Sequence, residues 1–434
     1  MQCVMRSRGM RRTRLVGSRA EGREDHEGQK DRNEPGGAMP GASPRALRVA
    51  LAALAATSLL GLGRPALSAP AFVAVNRFVP HVSTVPANAG EKVGIFVHEK
   101  LTQATADAVA AGRSSAGVVL FVHGQSVPTV PDFDLQYKDY SWMEDLAAAG
   151  FDTFSMDQTG YGFSPRPEMD DPCNMSAKDQ AIVTPNPLPK PCKPSYSHTL
   201  TSFQSDWDEI DSVVDYLRKL RGVKRVSLIG WSMGGPRAGG YAARHPDKIE
   251  KLILYAPAYR ASTPSEPPSD GRSAGVPMSL QTRQTLMQDR WQANVACPGQ
   301  VDPGIRDVIW RTIMGFDSLG AVWGPPEGVM RVRTSTYFGW NSDYAAKITA
   351  PTLILVGQQD GLRPAAETLY GDLTRAPNKV LVEMACATHF AVWEAAEHKL
   401  MHEASKEWLQ SGEFRGRKNG QVSVGTQGGQ PGPQ

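Results

Sequence analysis

The sequence predicts a doubly wound α/β domain, a mostly parallel sheet with helices on both faces, interrupted by an inserted, largely helical lid. Three observations predict it. Short runs rich in Val, Ile and Leu alternate with helical patterns along most of the chain. Several runs are apolar at nearly every position, as strands covered on both faces are. Roughly a hundred residues then separate the run ending at Tyr255 from the one starting at Thr352, enough for an inserted domain.

The predicted strands are Val93–His98, Val118–Val122, Asp152–Met156, Val226–Ile229, Leu252–Tyr255, Leu353–Val356 and Val380–Met384. Between them, Trp142–Ala149 reads as a helix. Phe203–Leu220 reads as a longer one, with Trp207, Ile210, Val213, Val214 and Leu217 at three- and four-residue steps. Gly235–Arg244, Pro364–Tyr370 and Phe390–Leu409 complete the set. The core is therefore expected over 72–257 and 343–411, with the lid over 258–342 and a disordered tail over 412–434, where Gly, Gln, Pro and Ser dominate. Within the lid, Leu286–Trp291 and Ile305–Met314 look helical. Trp291, Trp310, Trp323 and Trp340 all fall there. The length and loop-like start of this segment predict a mobile or semi-independent lid that sets substrate choice.

Composition narrows the function classes. Of 434 residues, 41% are hydrophobic and 21% charged, which supports a sizeable core. The net charge of +3 is concentrated at the start, where residues 1–69 hold 12 Lys/Arg against 6 Asp/Glu. The remainder is mildly acidic, so no nucleic-acid partner is expected.

The N-terminus reads as a targeting segment. Residues 1–38 are polar and Arg-rich without an apolar period, and are expected to be disordered or to precede the true start. Met39 opens a second pattern over 39–71: basic Arg45 and Arg48, an uncharged run Val49–Gly63, then small residues Ser68, Ala69 and Ala71. This is the layout of a secretory signal peptide, and the apolar run is short of the roughly 20 residues that span a bilayer. The expectation is a secreted or periplasmic protein without a stable membrane anchor. Removing the leader takes away Cys3 and leaves four cysteines. Cys173 and Cys192 flank a Pro-rich segment with little means of ordering itself, and a disulfide between them would close it. Cys297 and Cys386 carry no pairing signal. No metal-ligand spacing occurs among the Cys and His residues, and no cofactor is implied.

Chemistry enters at Gly230-Trp231-Ser232-Met233-Gly234, which follows a strand and precedes a helix. In that context GxSxG is a nucleophile elbow: Ser232 sits on a tight, strained turn, and glycines on both sides let strand and helix approach. A serine nucleophile needs a base, and the base an orienting acid. Downstream, TLILVGQQD ends a predicted strand with Asp360, and VLVEMACATHF ends another with His389, in the order nucleophile, acid, base. Asp343 and Glu383 are the substitute acids. His245 and His398 lie on helices and are expected at solvent. Upstream, strand Val118–Val122 runs into His123-Gly124-Gln125-Ser126, so the backbone N–H groups of Gln125 and Met233 are the predicted oxyanion donors, with His123 fastening the loop. Arg237 and Arg363 are the cations nearest these motifs, either to meet a carboxylate or to face solvent.

Together, VLFVHGQ, MDQTGYGFS, GWSMGG, LVGQQD and THF resemble the α/β-hydrolase superfamily, in its lid-bearing serine esterase and lipase-like branch, over roughly residues 90–411. Thr159 departs from the Arg or Pro usual at its position. The resemblance implies a serine hydrolase that cleaves a small-molecule or polymeric carboxylic ester through an acyl-enzyme. An amidase or peptidase, a carbon–carbon-bond hydrolase or an acyltransferase would use the same residues, and a secreted binding protein is the non-enzymatic alternative. The Trp and Met content of the lid points to an apolar or aromatic substrate group, with Trp231, Trp291, Trp310 and Trp323 as candidate contacts. Oligomeric state is not legible.

Overall fold

The computed structural model describes residues 70–113, 116–185, 188–269 and 272–425. The expected leader, over 39–71, and residues 1–38 lie outside the described residues, apart from the last two positions.

Nine strands form one sheet: β1 (Phe72–Val82), β2 (Lys92–Thr102), β3 (Val118–Val122), β4 (Asp152–Met156), β5 (Val226–Trp231), β6 (Ile249–Tyr255), β7 (Thr352–Gly357), β8 (Lys379–Met384) and β9 (Asn419–Val424). Their order is β1-β2-β4-β3-β5-β6-β7-β8-β9. Only the β1–β2 and β2–β4 pairings are antiparallel. The expected parallel, doubly wound sheet is thus present over β3 to β9.

Side-chain alternation sorts the sheet into two cores. Phe121, Ile229, Ile253 and Leu355 point to one face, where α1 (Trp142–Ala148) and a C-terminal helix (Glu397–Ser411) cover them. Leu120, Leu228, Leu254 and Ile354 point to the other, under α2 (Phe203–Arg221), α3 (Gly234–Arg244) and a later helix (Arg363–Asp372). Helix α2 has the cleanest local code. Ser202 and Ser205 form a reciprocal capping box at its start, and Gly222, at φ +66°, ends it. Its buried stripe is the one its apolar period predicts.

Two edges differ from expectation. Strand β1 was not expected: it alternates half-buried and exposed residues around Asn76 and Arg77, so it lacks the continuous apolar run of a covered strand. The expected disordered tail is corrected over 412–425. Strand β9 pairs in parallel with β8, Lys379 against Asn419, and Phe414 is buried in the core beneath it. A polar edge strand gains its stability from satisfied backbone groups, which composition does not report.

The lid is present but is neither purely helical nor one stretch of chain. It carries a π-helical turn (Thr285–Trp291) and a helix (Ile305–Gly315) beside a two-stranded antiparallel sheet of Met278–Thr282 with Val329–Arg333. A second excursion, near 165–200, packs with it: Met169, Met175 and Leu200 share a cluster with Met278, Trp323 and Val329. The expected Cys173–Cys192 disulfide braces that excursion, with an S–S distance of 2.11 Å. A second disulfide, Cys297–Cys386, ties the lid to the loop after β8. On the opposite side Arg333 makes a buried ion pair with Asp206 of α2 at 2.7 Å. The lid is thus joined to the core at two separated points, a disulfide and a buried ion pair.

Candidate active site

Ser232 follows β5 and precedes α3, with φ +55°, a conformation that costs a non-glycine residue free energy. Three backbone hydrogen bonds hold it there. Its N–H donates to Tyr255 O at 2.9 Å, and its carbonyl accepts from the N–H groups of Gly235 at 2.9 Å and Ala258 at 3.0 Å. The flanking glycines are steric requirements. A Cβ on Gly230 would run into the Gly234 carbonyl, and one on Gly234 into that of Val122. The elbow forms only where the chain is bare on both sides.

Asp360 and His389 sit just past the C-terminal ends of β7 and β8, at the same sheet edge as Ser232. His389 Nδ1–H donates to Asp360 Oδ2 at 2.9 Å. The other oxygen, Oδ1, accepts the Leu362 N–H at 2.8 Å, which fixes the carboxylate plane. With Nδ1 occupied, Nε2 is the free acceptor, and His389 and Ser232 line one cavity. Of the substitute acids, Glu383 is taken by Arg363 at 3.4 Å, and Asp343 lies in the first turn of a short helix, Ser342–Ala345.

The loop around His389 is built on a buried carboxylate. Glu394 accepts the Thr388 N–H at 3.1 Å, the Thr388 hydroxyl at 2.5 Å and the Trp291 indole N–H at 3.0 Å. Burial still pushes its pKa above the usual range, because these donors offset desolvation only in part. Tyr255 bridges the same loop, donating to Thr388 O at 3.0 Å and accepting the Ala391 N–H at 2.8 Å. Gln300, a lid residue, donates to the Cys386 carbonyl beside the disulfide.

The oxyanion loop is pinned from below. Fully buried His123 donates from Nδ1 to Gly124 O at 2.7 Å and accepts the Gln158 N–H at Nε2 at 3.2 Å. Both ring nitrogens are thus spent in the neutral form, and burial drives the pKa far below the ordinary histidine value. It fastens the loop, as expected. Arg237 does not face solvent. It is buried, donates to the carbonyls of His123 at 3.0 Å and Gly124 at 2.9 Å, and pairs with Asp206 at 3.1 Å. Gly124 lies so close to the elbow that a Cβ there would stand 3.2 Å from Ser232 Cβ. Gln125 and Met233 both line the cleft beside Ser232, where their N–H groups would have to converge.

Among the expected tryptophan contacts, Trp231 lines the Ser232 cavity, and its indole N–H donates to His389 O at 3.1 Å. The other three are corrected. Trp291 is fully buried behind Phe390 and Trp393. Trp310 donates to Glu327 O and borders a separate surface cleft. Trp323 packs in the lid's own small cluster. Their indoles stabilise the lid. His398, expected at solvent, is 1% exposed, stacked on Tyr140 and hydrogen-bonded to Glu394 O. Arg290, which belongs to no sequence motif, lines the Ser232 cavity.

That cavity measures about 10 Å³, room for about one water. It adjoins a cleft of about 550 Å³ lined by Phe203, Tyr259, Tyr337, Trp340 and Pro264. A larger hollow, about 810 Å³, opens at the opposite sheet edge beside Val118, Ser227 and Lys251, at the strand N-termini. None of Ser232, Asp360 and His389 lines it. Among the described residues, no group of His, Cys, Asp and Glu could hold a metal ion, and no helix is long and apolar enough to cross a membrane.

The family described as alpha/beta hydrolase fold matches residues 117–296. A pimeloyl-[acyl-carrier protein] methyl ester esterase of Chromobacterium violaceum is 26% identical over 164 residues, covering 37% of this chain and 62% of the relative. A poly(3-hydroxyalkanoate) polymerase subunit of Allochromatium vinosum is 42% identical over 55 residues, 13% of this chain and 16% of the relative. The chain therefore spans less than two thirds of either curated relative. Among solved structures, an esterase from Thermogutta terrifontis is similar at 17% identity and TM-score 0.45, over 77% of this chain and 99% of that one. The chain has the α/β-hydrolase fold, with an inserted lid.

Proposed function

We propose that this α/β-hydrolase-fold chain is a serine hydrolase that cleaves carboxylic esters through an acyl-enzyme. One observation carries the reading: Ser232, on a strained elbow, shares a cavity with His389, whose Nδ1–H is bound to Asp360 at 2.9 Å. In the proposed mechanism, Ser232 Oγ attacks the ester carbonyl while its proton passes to His389 Nε2. The oxyanion is held by the N–H groups of Gln125 and Met233. Collapse breaks the C–O bond, and the alcohol leaves with the proton from His389. Water then attacks the acyl-enzyme, gives a proton to His389, and the acid departs as Ser232 regains its hydrogen. Asp360 keeps the imidazole in one tautomer throughout.

The largely apolar cleft of about 550 Å³ beside Gln125 and Met233 suits an apolar or aromatic acyl or alcohol group. The ester-cleaving name of the Chromobacterium relative supports an ester over an amide. We also read the protein as exported. The leader pattern and two disulfides in one chain support that compartment. The test is burst kinetics with a p-nitrophenyl ester, followed by mass spectrometry of the quenched protein. An acyl adduct on the Ser232 peptide, absent from Ser232→Ala, is expected. An active Ser232→Ala enzyme would overturn the reading.

A further inference from the structure

Arg290 presents a cation to the nucleophile without an anion to match. It lies on the π-helical turn Thr285–Trp291, where Leu286 and Arg290 line the Ser232 cavity while Met287 and Trp291 pack into the core. Nη1 donates to the Gln281 side-chain oxygen at 3.2 Å, and the guanidinium lies 5.6 Å from the Phe390 ring centre. Those are neutral partners. The deeply buried arginines behave differently: Arg237 and Arg333 meet Asp206, and Arg331 meets Asp317. Arg290 has no ion pair among the described residues. Burial lowers its pKa with no carboxylate to counter the effect.

The guanidinium is partly withdrawn from water and carries no counter-charge, and the N–H donors that Gln281 does not use still reach solvent, where a ligand can meet them. A planar carboxylate accepts two of them in parallel, the strongest arrangement available to Arg. A monoanion also matches the single unpaired charge; a phosphate dianion would exceed it.

We propose that Arg290 is a specificity residue that binds a carboxylate carried by the substrate, so that the preferred esters are anionic, with the carboxylate near the scissile bond. The inference rests on the ester-hydrolase reading and narrows its substrate class.

The test compares matched pairs: 3- and 4-acetoxybenzoate against their methyl esters, and monomethyl adipate against dimethyl adipate. These place the charge on the alcohol side and the acyl side in turn. For at least one pair, wild-type kcat/KM should favour the anion tenfold or more. Arg290→Gln should bring that ratio to within about threefold of one, whereas Arg290→Lys should keep part of it. Fluorophosphonate labelling of Ser232 in each variant shows whether its site is assembled. A second readout needs no turnover: calorimetry on Ser232→Ala protein should show 3-acetoxybenzoate or monomethyl adipate binding tenfold or more tighter than its neutral partner, and equal binding once Arg290→Gln is added. Hydrolysis of neutral and anionic esters at equal rates, or a ratio unmoved by Arg290→Gln, overturns the proposal while leaving the ester reading intact. Absence of hydrolysis and of Ser232 labelling overturns the ester reading, and the calorimetric comparison then decides the anion site alone.

Discussion

The indole N–H of Trp231 donates to the backbone carbonyl of His389 at 3.1 Å, so the residue before Ser232 holds the His389 backbone in place. The two lie 158 positions apart in the chain and meet because β5 and the loop after β8 end at one edge of the sheet. Trp231 also packs edge-on against Trp393 and nearly parallel to Tyr255. Through Trp231 the turn at Ser232 and the loop carrying His389 are in direct contact.

Trp231→Phe tests this coupling. It keeps most of the ring packing and removes the donor, leaving a carbonyl without its partner at a cost of about 1–2 kcal/mol. The expected outcome is a kcat lowered about tenfold, since 1.36 kcal/mol corresponds to that factor, with a smaller change in KM. Steady-state kinetics on a neutral ester measures both. Equal loss in kcat and in stability with no shift in the pH profile would mark a purely structural role.

The triad makes a graded set of expectations. Ser232→Ala and His389→Ala should each abolish turnover in folded protein. Asp360→Asn should lower kcat by about 10⁴, the loss that accompanies a mis-set imidazole tautomer in a related constellation. Circular dichroism and thermal melts establish folding, and single-turnover rates give the effect. An Asp360→Asn enzyme near the wild-type rate would move the acid elsewhere.

The two disulfides should differ in what their loss does. Residues 173 and 192 close a 19-residue separation and residues 297 and 386 one of 89. The chain-entropy account assigns about 3 and about 4.5 kcal/mol respectively. Replacing the first pair by Ala should loosen the 165–200 excursion and leave kcat largely in place. Replacing the second should destabilise more and also lower kcat, because Cys386 stands three residues before His389. Melting temperatures and kcat on the same two double variants check this.

Glu209 gives a pH signature. Its carboxylate accepts the Thr159 N–H at 3.0 Å, and burial raises its pKa from the usual 4.5 to about 7, against the pull of Arg333. The folded protein therefore binds this proton more tightly than the unfolded chain does. The resulting stabilisation is fully present below about pH 4.5 and is lost as pH rises toward 7. Glu209→Gln should flatten the dependence of stability on pH across that window, as read from denaturant midpoints at several pH values. An unchanged slope would exclude Glu209 as its source.

Much of the catalytic geometry was legible because its signals are local. The Gly-rich elbow, the His-Gly loop and the strand-terminal Asp360 and His389 each announce themselves within about ten residues. So do most of the strands from β3 to β8, several of which are apolar at nearly every position because both faces are covered. What stayed hidden depends on tertiary context. Strand β9, the fate of the lid tryptophans and the burial of His398 follow from which surfaces happen to meet. For Arg237 the sequence left a carboxylate partner and a solvent-facing position both open, because the carboxylate and carbonyls it binds come from Asp206 and from a loop 113 positions away. Arg290 had no signal, since its importance lies in the counter-ion it lacks.

The strap at Cys297–Cys386 has a thermodynamic consequence for ligand capture. A cover free to swing would have to be ordered anew each time a substrate arrived, and that entropy would be drawn from every binding event. Here the ordering is completed when the protein folds and oxidises. Wild-type binding heats should therefore report little beyond desolvation and direct contact, whereas the oxidation state of one cystine sets how much the same substrate must spend on organising its own site.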